Sequence, residues 1–490
     1  MRPVSYLVRC LSIAAVLISA CQPMDQASLG PNDGGGMDGG VALRSTSQAL
    51  STPSSCGNTA GLANAPWPMR GGCPTHVKNA EIGPLTSNVR WSFDTRSDVR
   101  ASAVIASDGN ILMAGDSGVV RKINPSTGSV LQELPVGGAI KSSPALLSDS
   151  TVVVSSESGK LSFIDYGAFT LKWTFPRTGS LGAFTGSPAV LPNSSVVIGS
   201  SNRTVYVVDA NGVETWKYLT GGAVVSSPAV SPDGTSIYVG ASDSYLYALD
   251  VVTKKLKWRT KLAAKVDSSP AVAKGRVFIG AADKAYALDA LTGTILWSRS
   301  LGSGTVYSPA VSESGPVLFG VKFTFAGGSM MALSPSDGVQ LWRFDTLGGV
   351  ETTAIIDRLG SAYFGDNAGT MNAVDAAGQV IFKHTLPNGL LAGIRSSAVI
   401  SRTGGLIFGG DDNWIYSLGT ARSAVPNGGI CNVDADCEPE LLCGAGNGAR
   451  FGKPAGSKVC WLPSCENKVK DPTETEVDCG GPCGSCANVC

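Results

Sequence analysis

The sequence carries no surplus charge. Lysine and arginine together number 38, and so do aspartate and glutamate. That removes the electrostatic basis for binding nucleic acid or an anionic membrane surface. Histidine is nearly missing: His76 and His384 are the only two in 490 residues. Neither has a cysteine or carboxylate partner at ligand spacing, so histidine-based metal binding or catalysis has little to work with. No cysteine occurs between Cys73 and Cys431. Charged residues of all kinds make up only 16% of the chain, and beyond the first twenty residues no apolar run is long enough to span a bilayer. What is abundant is glycine, 61 residues set among short apolar stretches. Many short strands joined by tight turns have that balance; long amphipathic helices do not.

The chain starts MRPVSYLVRC, with Arg2 and Arg9, and continues LSIAAVLISA to Cys21. A basic start, a short apolar core and small residues before a cleavage point predict an export signal over residues 1–20. The ending Ile18-Ser19-Ala20-Cys21 resembles a bacterial lipobox, which implies an acylated Cys21 at the mature N-terminus; an ordinary signal peptide cut nearby is the alternative. Gln22 in the following position, by the same resemblance, implies outer-membrane placement. Residues 21–55 are rich in Gly, Ser, Asp and Pro, including NDGGGMDGG, and read as a flexible tether. About 34 residues of such chain reach roughly 30–35 Å. Membrane contact is then expected only through the N-terminal lipid.

Past the tether the chain repeats itself. A short signature recurs as Ser142-Ser143-Pro144-Ala145, Gly186-Ser187-Pro188-Ala189, Ser226-Ser227-Pro228-Ala229, Ser268-Ser269-Pro270-Ala271 and Tyr307-Ser308-Pro309-Ala310, and more loosely at Ser102, Thr353 and Ser397. The eight starts are 39 to 45 residues apart. Each is followed by three further apolar strands, as in RVFIG (276–280), YALD (286–289) and ILW (295–297). This period with four strands per unit predicts an all-β fold, an eight-bladed β-propeller. The eighth unit stops after IYSLG (415–419), one strand short, while NVRWSF (88–93) stands alone before the first. The early strand is expected to complete the last blade and close the ring.

Within each unit runs Ala-x-Asp-x-x-Thr-Gly-x-x-x-Trp, clearest in AYALDALTGTILW (285–297). The aspartate ending a strand accepts N–H groups of the next turn. Gly293 supplies a positive φ, and Trp297 on the outermost strand covers the seam to a neighbouring blade. The counterparts are Trp91, Asp165/Trp173, Asp209/Trp216, Asp250/Trp258, Asp289 with Gly293 and Trp297, and Trp342; the first unit departs furthest, with Asn124, Gly128 and Gln132. A feature present in most blades cannot be one catalytic centre, so these residues are expected to be structural. The serine signatures lack a base and recur eight times, which excludes a nucleophile. Asp243, Asp283, Asp366 and Asp411 are expected to be further turn caps.

This pattern resembles the pyrroloquinoline-quinone (PQQ) repeat with its tryptophan-docking motif, over residues 67–419, and WPMRGGCPTH (67–76) resembles the lead-in of such propellers. The resemblance implies one of two branches. The quinoprotein dehydrogenases use PQQ and calcium, and many stack a disulfide of adjacent cysteines on the quinone. The BamB-type branch is non-enzymatic and comprises lipoproteins of outer-membrane barrel assembly. The cysteine-free blades and the short inter-blade connections depart from the first branch. The cations noticed in the blades (Arg203, Lys284, Lys322) are scattered, whereas a carboxylate-rich cofactor wants them clustered. The expectation is therefore no catalytic residue, no metal and no cofactor, with PQQ and calcium as the alternative. The chain is expected to be a lipid-anchored scaffold at the outer membrane, on its periplasmic or surface face, binding another envelope protein. A PQQ-dependent dehydrogenase and a surface adhesin or carbohydrate-binding protein are the competing readings.

Residues 421–490 change character, with Cys431, Cys437, Cys443, Cys460, Cys465, Cys479, Cys483, Cys486 and Cys490. In an exported chain this predicts a disulfide-stapled module rather than a zinc site. GGICNVDADC and DPTETEVDCGGPCGSC resemble small cysteine-rich modules at the ends of surface proteins in some Gram-negative bacteria. Nine cysteines cannot all pair internally, and their connectivity stays open. Cys56 and Cys73 are expected to pair and pin the lead-in of a propeller domain spanning 56–420, a loop contributing about 3 kcal/mol in the chain-entropy account.

Overall fold

The computed structural model of the protein describes residues 56–77, 80, 83–312, 315–389 and 392–419, together with the backbone of 442–444 and 459–461. Alternating β-branched and small residues, punctuated by left-handed glycines such as Gly109 and Gly293, fold the chain into strand after strand. Eight antiparallel blade sheets result, seven of them with their strands in sequence order from the innermost outward. Blade one runs Val104–Ile105, Ile111–Ala114, Val119–Ile123 and Val130–Pro135; blade five runs Ala271–Ala273, Arg276–Ala281, Lys284–Asp289 and Ile295–Ser300. Blade eight supplies Val399–Ile400, Leu406–Gly409 and Trp414–Leu418, and its outermost strand is Val89–Asp94, with Trp91 opposite Ser417. The ring is thus closed by the early strand and contains eight complete blades, as the repeat count predicted.

The core lies between blades. In blade four every residue of Ser236–Gly240 is buried, and so are Leu246–Leu249 of the following strand, because both faces of a middle strand meet a neighbouring sheet. The outermost strands are mostly exposed; in Ile295–Ser300 only Trp297 is buried.

The paired serines of the signature divide the work of joining. The first ties the innermost strand to the second strand of its own blade: Ser226 Oγ donates to Gly240 O (3.0 Å) and accepts Gly240 N (3.0 Å), and Ser396 does the same with Gly409. The second serine reaches across the seam. Ser187 Oγ accepts Ser143 N, Ser227 Oγ accepts Ser187 N, Ser269 Oγ accepts Ser227 N and Ser308 Oγ accepts Ser269 N, all at 2.8–2.9 Å. Ser397 Oγ accepts Thr353 N (3.1 Å) and Ser102 Oγ accepts Ser397 N (2.9 Å). Six of the eight seams therefore carry a hydroxyl-to-amide link around the axis, and each link satisfies a buried backbone N–H at the innermost strands.

Two features depart from the simple repeat. All eight outermost strands carry a register shift beside the tryptophan position, for example between Ala287 and Leu288 opposite Trp297. A bulge re-aims the side chain next to it, here turning it toward the seam. Blade six also has a fifth strand, Gly304–Val306, paired with the far end of Val317–Phe323. Cys21, the tether and most of the tail lie outside the described residues. Within the tail, Leu442–Gly444 and Val459–Trp461 pair antiparallel, with Cys443 opposite Cys460 in register.

Candidate functional site

The repeated Asp–Gly–Trp set is assembled at the seams. Trp258 Nε1 of blade four donates to Ala290 O (3.2 Å) in the turn of blade five, Trp297 Nε1 to Pro335 O (3.1 Å), Trp342 Nε1 to Ala376 O (3.0 Å) and Trp91 Nε1 to Pro125 O (2.9 Å). Under each ring lies the left-handed glycine of the next blade. A Cβ on Gly293 would sit 2.5 Å from Trp258, and one on Gly378 2.8 Å from Trp342. The glycine is therefore a docking floor as well as a turn former. The aspartate closes that turn: Asp289 Oδ1 accepts the N–H groups of Leu291 (3.0 Å) and Thr292 (2.8 Å). Asp250 caps Val252 and Thr253, Asp209 caps Asn211 and Val213, and Asp165 caps Ala168. The backbone N–H of Thr292 holds the Asp289 carboxyl below the usual range, and that of Thr253 does so for Asp250. Trp173 rests on Gly212 but its buried Nε1 has no partner among the described residues, and Trp216 faces a blade whose glycine position is Lys254, held at φ 60°.

At one end of the innermost strands, the lead-in crosses the ring. Asn58 N donates to Pro232 O in blade four and Ala63 N to Leu146 O in blade two; Trp67 pairs with Ile105 in blade one. Pro74 and Thr75 accept from Val230 and Val272 in blades four and five, and Ala80 N donates to Ile356 O in blade seven. The Cys56–Cys73 disulfide, with Cα atoms 5.4 Å apart, staples this crossing. The turn Arg70–Gly72 directs Arg70 into an axial cavity, where its Nη2 donates to Thr353 Oγ1 (2.9 Å). His76 lies beside it, 8% exposed, with Nδ1 2.8 Å from Pro270 O. Burial and the Arg70 charge push His76 down to about 3, so it is neutral at physiological pH. The volume open to a water-sized sphere is about 40 Å³, room for a few waters.

At the opposite end of the innermost strands Lys322, one of the cations that looked scattered in sequence, joins Arg100 and Arg395 in a set of ion pairs. Arg100 binds Asp98 (2.6 Å), Asp116 (2.6 Å) and Asp411 (3.2 Å); Arg395 binds Asp411 (2.8 Å); Lys322 and Asn367 bind Glu351 (2.8 and 2.7 Å). The residues two before Ser102, Thr353 and Ser397, the second position of the signature, are Arg100, Glu351 and Arg395, a periodic position that marks this rim in the sequence once the blades are aligned. Asp411 is thus an ion-pair partner rather than the expected turn cap; the neighbouring Asp412 does the capping, accepting Trp414 N (3.2 Å) and Tyr416 Oη (2.6 Å). Asp243 and Asp366 cap as expected, on Tyr245 and on Ala368 and Thr370, and Asp283 accepts Ser300 Oγ. Burial pushes the Glu351 carboxyl up, but Lys322, Asn367 and Arg395 outweigh it and leave it low. Burial dominates at Asp411 and Asp116, whose carboxyls are raised despite their arginine partners.

Next to this rim, blade six projects. Its second and third strands, Val317–Phe323 and Gly328–Leu333, are joined through Thr324–Gly327, and Phe325 at the tip is 94% exposed. Leu347, 82% exposed, follows the outermost strand, whose carbonyls lie close to Gly327. Phe323 is half-buried under the Arg343 guanidinium, 5.2 Å from the ring centroid.

The axial cavity can be set against the quinone and calcium that the resemblance to quinoprotein dehydrogenases implies. A calcium ion asks for several oxygen ligands, carboxylates among them, whereas the described residues around the axial cavity offer serine and threonine hydroxyls, Arg70 and a neutral imidazole. Among the described residues no group of three His, Cys, Asp or Glu side chains is placed to hold a metal. The rim cations are engaged by carboxylates of the chain itself. The residues present do not match that donor set.

Among curated proteins, none matches the sequence. In structure the chain is similar to BamB from Moraxella catarrhalis (17% identity, TM-score 0.55, covering 68% of this chain and 100% of that one). It is similar as well to a computationally designed protein, Ika8 (17%, 0.58, 69% and 100%), and to the quinohemoprotein alcohol dehydrogenase from Comamonas testosteroni (14%, 0.60, 78% and 84%). At these identities the likeness establishes the propeller fold. The sequence model of the PQQ_2 family, described as outer membrane protein assembly factor BamB, matches in overlapping stretches at residues 80–223, 173–264, 201–361 and 255–393. These run from the lead-in to the end of blade seven, well over half of the chain, and the protein belongs to that family.

Proposed function

We propose that this protein is a non-enzymatic scaffold of the cell envelope, tethered through a lipidated Cys21 at the outer membrane, whose propeller docks another envelope protein engaged in outer-membrane protein assembly. The observation that carries this reading is the departure of blade six from its own repeat. Seven blades are four-stranded, and one adds a strand and lifts Phe325 and Leu347 into solvent beside the ion-paired rim. A large aromatic 94% exposed at the tip of a hairpin, next to a polar rim, has the composition of an interface anchor. The family description supports the class of partner, an outer-membrane protein or a component that assembles one. The donor set at the axis supports the absence of quinone chemistry.

The test places a photo-crosslinking amino acid at position 325 in the full-length protein in intact cells, with position 252, 76% exposed on a regular blade, as reference. Crosslinks to an outer-membrane barrel protein or its assembly machinery from 325 and not from 252 are expected. Equal labelling from both sites, or labelling of neither, overturns the docking assignment. Saturable binding of PQQ with calcium to the purified protein, read by melting temperature and absorbance, overturns the non-enzymatic reading.

A further inference from the structure

The axial cavity contains an unbalanced charge. Arg70 reaches into it from the lead-in, and its hydrogen bond among the described residues is a single one, to the uncharged Thr353 hydroxyl. No ion pair engages it among the described residues, whereas Arg100, Arg395 and Lys322 at the other end of the ring each have one. The walls reinforce the imbalance. Ser102, Ser269, Ser308 and Ser397 all line the cavity, and the Oγ of each already accepts a backbone N–H of the seam belt. Their acceptor capacity faces the amides, and among the described residues none of the four donates its own O–H to a protein group, so what remains to be satisfied is hydrogen, the electropositive end of each hydroxyl. His76 adds no negative charge and is kept neutral.

A half-buried guanidinium surrounded by uncommitted O–H donors, with no carboxylate among the described residues, is the inverse of a cation site. We propose that the axial cavity binds a small inorganic anion of halide size, held by the Arg70 guanidinium and the hydroxyls of Ser102, Ser269, Ser308 and Ser397. The size follows from the volume, which admits a few water-sized spheres and excludes anything with a ring system. The position follows from the belt, since serines from blades one, five, six and eight converge only at the axis. The consequence is structural linkage: the anion joins the lead-in, through Arg70, to the seams of the ring, so occupancy stabilises the closed propeller.

Two measurements on the full-length purified protein decide this. The first exchanges gluconate for chloride at constant ionic strength and follows the melting temperature. A saturable rise is expected, about 3–4 °C at a hundredfold excess over the half-saturating concentration for a folded body of this size. The rise should vanish in Arg70→Gln; should that variant fail to fold, Ser102→Ala, which deletes one donor, should raise the half-saturating chloride about tenfold. The second grows crystals in bromide and locates the halide by anomalous scattering, with a peak expected within hydrogen-bonding distance of the Arg70 guanidinium. A melting temperature that is flat or rises without saturating, or bromide peaks that avoid the axis, overturns the proposal.

Discussion

Two seams of the same ring solve one packing problem in opposite ways. Between blades four and five, the large side chain comes from the earlier blade: Trp258 lies on Gly293 and donates to Ala290 O, with Tyr238 against its ring at 5.8 Å. Between blades one and two, the register position of the tryptophan is Gln132, paired with Lys122. The glycine position of blade two is Phe169, held at φ 55° by the same turn hydrogen bond, Phe169 N to Asp165 O (2.9 Å). Phe169 is 5% exposed and packs with Ile164 and Leu134. Tyr166 adds a second bridge, with Lys122 Nζ 3.9 Å above its ring and its hydroxyl donating to Asp108 (2.6 Å). The seam is filled from the later blade instead of the earlier one. What the repeat conserves physically is the filled volume; which strand supplies the ring is free to change, provided the partner gives way to glycine or grows to match.

Breaking each seam at its own anchor gives the largest effects. Phe169→Ala removes a nearly fully buried ring and should cost about 3–4 kcal/mol in denaturant unfolding. Trp258→Ala, at a half-buried site, should cost about 2–3 kcal/mol. If Trp258→Ala costs more, the tryptophan dock is the stronger latch and the first seam is a weakened copy. Next comes the glycine floor. Gly293→Ala places a Cβ 2.5 Å from Trp258 at φ 73°, and should cost about 2–3 kcal/mol, combining left-handed strain with overlap. Gly109→Ala, at φ 84° but with nothing within 4 Å, should cost only about 1 kcal/mol, the strain alone. Equal losses would show that the ring of Trp258 moves aside and that the floor matters only as a turn.

Much of this was legible in the sequence because it is periodic. Eight serine signatures at a spacing near forty, together with the orphan strand NVRWSF, defined the blade count and the ring closure, since each copy restates the same strand order. The Asp–Gly–Trp repeat was readable as structural by the same logic. Less legible was anything depending on a partner outside the repeat. The glycine's role as a floor needs the preceding blade's tryptophan, some 35 residues away. The cluster of Arg100, Glu351 and Arg395 was not legible, because an ion pair such as Arg100–Asp411 joins residues 311 apart in the chain and adjacent only in a closed ring. Arg70 was hidden inside a lead-in of unremarkable composition, and its isolation is a property of the cavity wall. The extra strand of blade six is three residues long, Gly304–Val306, too short for a period-two pattern to register.

If volume is what the seam conserves, the two solutions should be interchangeable. Gln132→Trp alone forces an indole into space that Phe169 occupies, and is expected to cost about 1–3 kcal/mol by overpacking. Phe169→Gly alone leaves a void. Together, Gln132→Trp with Phe169→Gly rebuilds the arrangement found between blades four and five, so the double variant should be more stable than the sum of the singles by about 1–2 kcal/mol in a double-mutant cycle. Additive losses would mean that Tyr166, Lys122 and Asp108 hold the first seam in a geometry the tryptophan dock cannot replace.

The smallest expected effect concerns the turn that both seams share. Asp289, capped onto Thr292 and Leu291, has its folded carboxyl lowered by those N–H donors, so its contribution is present above the unfolded carboxyl range and is lost as pH falls through the folded value. Asp289→Asn keeps an oxygen acceptor while removing the charge. Relative to this variant, the wild type should hold a modest advantage at neutral pH that narrows toward zero below the carboxylate range. The group is solvent-exposed, so the advantage should also shrink with added salt. Melting temperatures of the two proteins across pH 2–7 check this. A difference that stays constant with pH would assign the cap's contribution to the hydrogen-bond geometry of the turn alone, with the carboxylate charge playing no part.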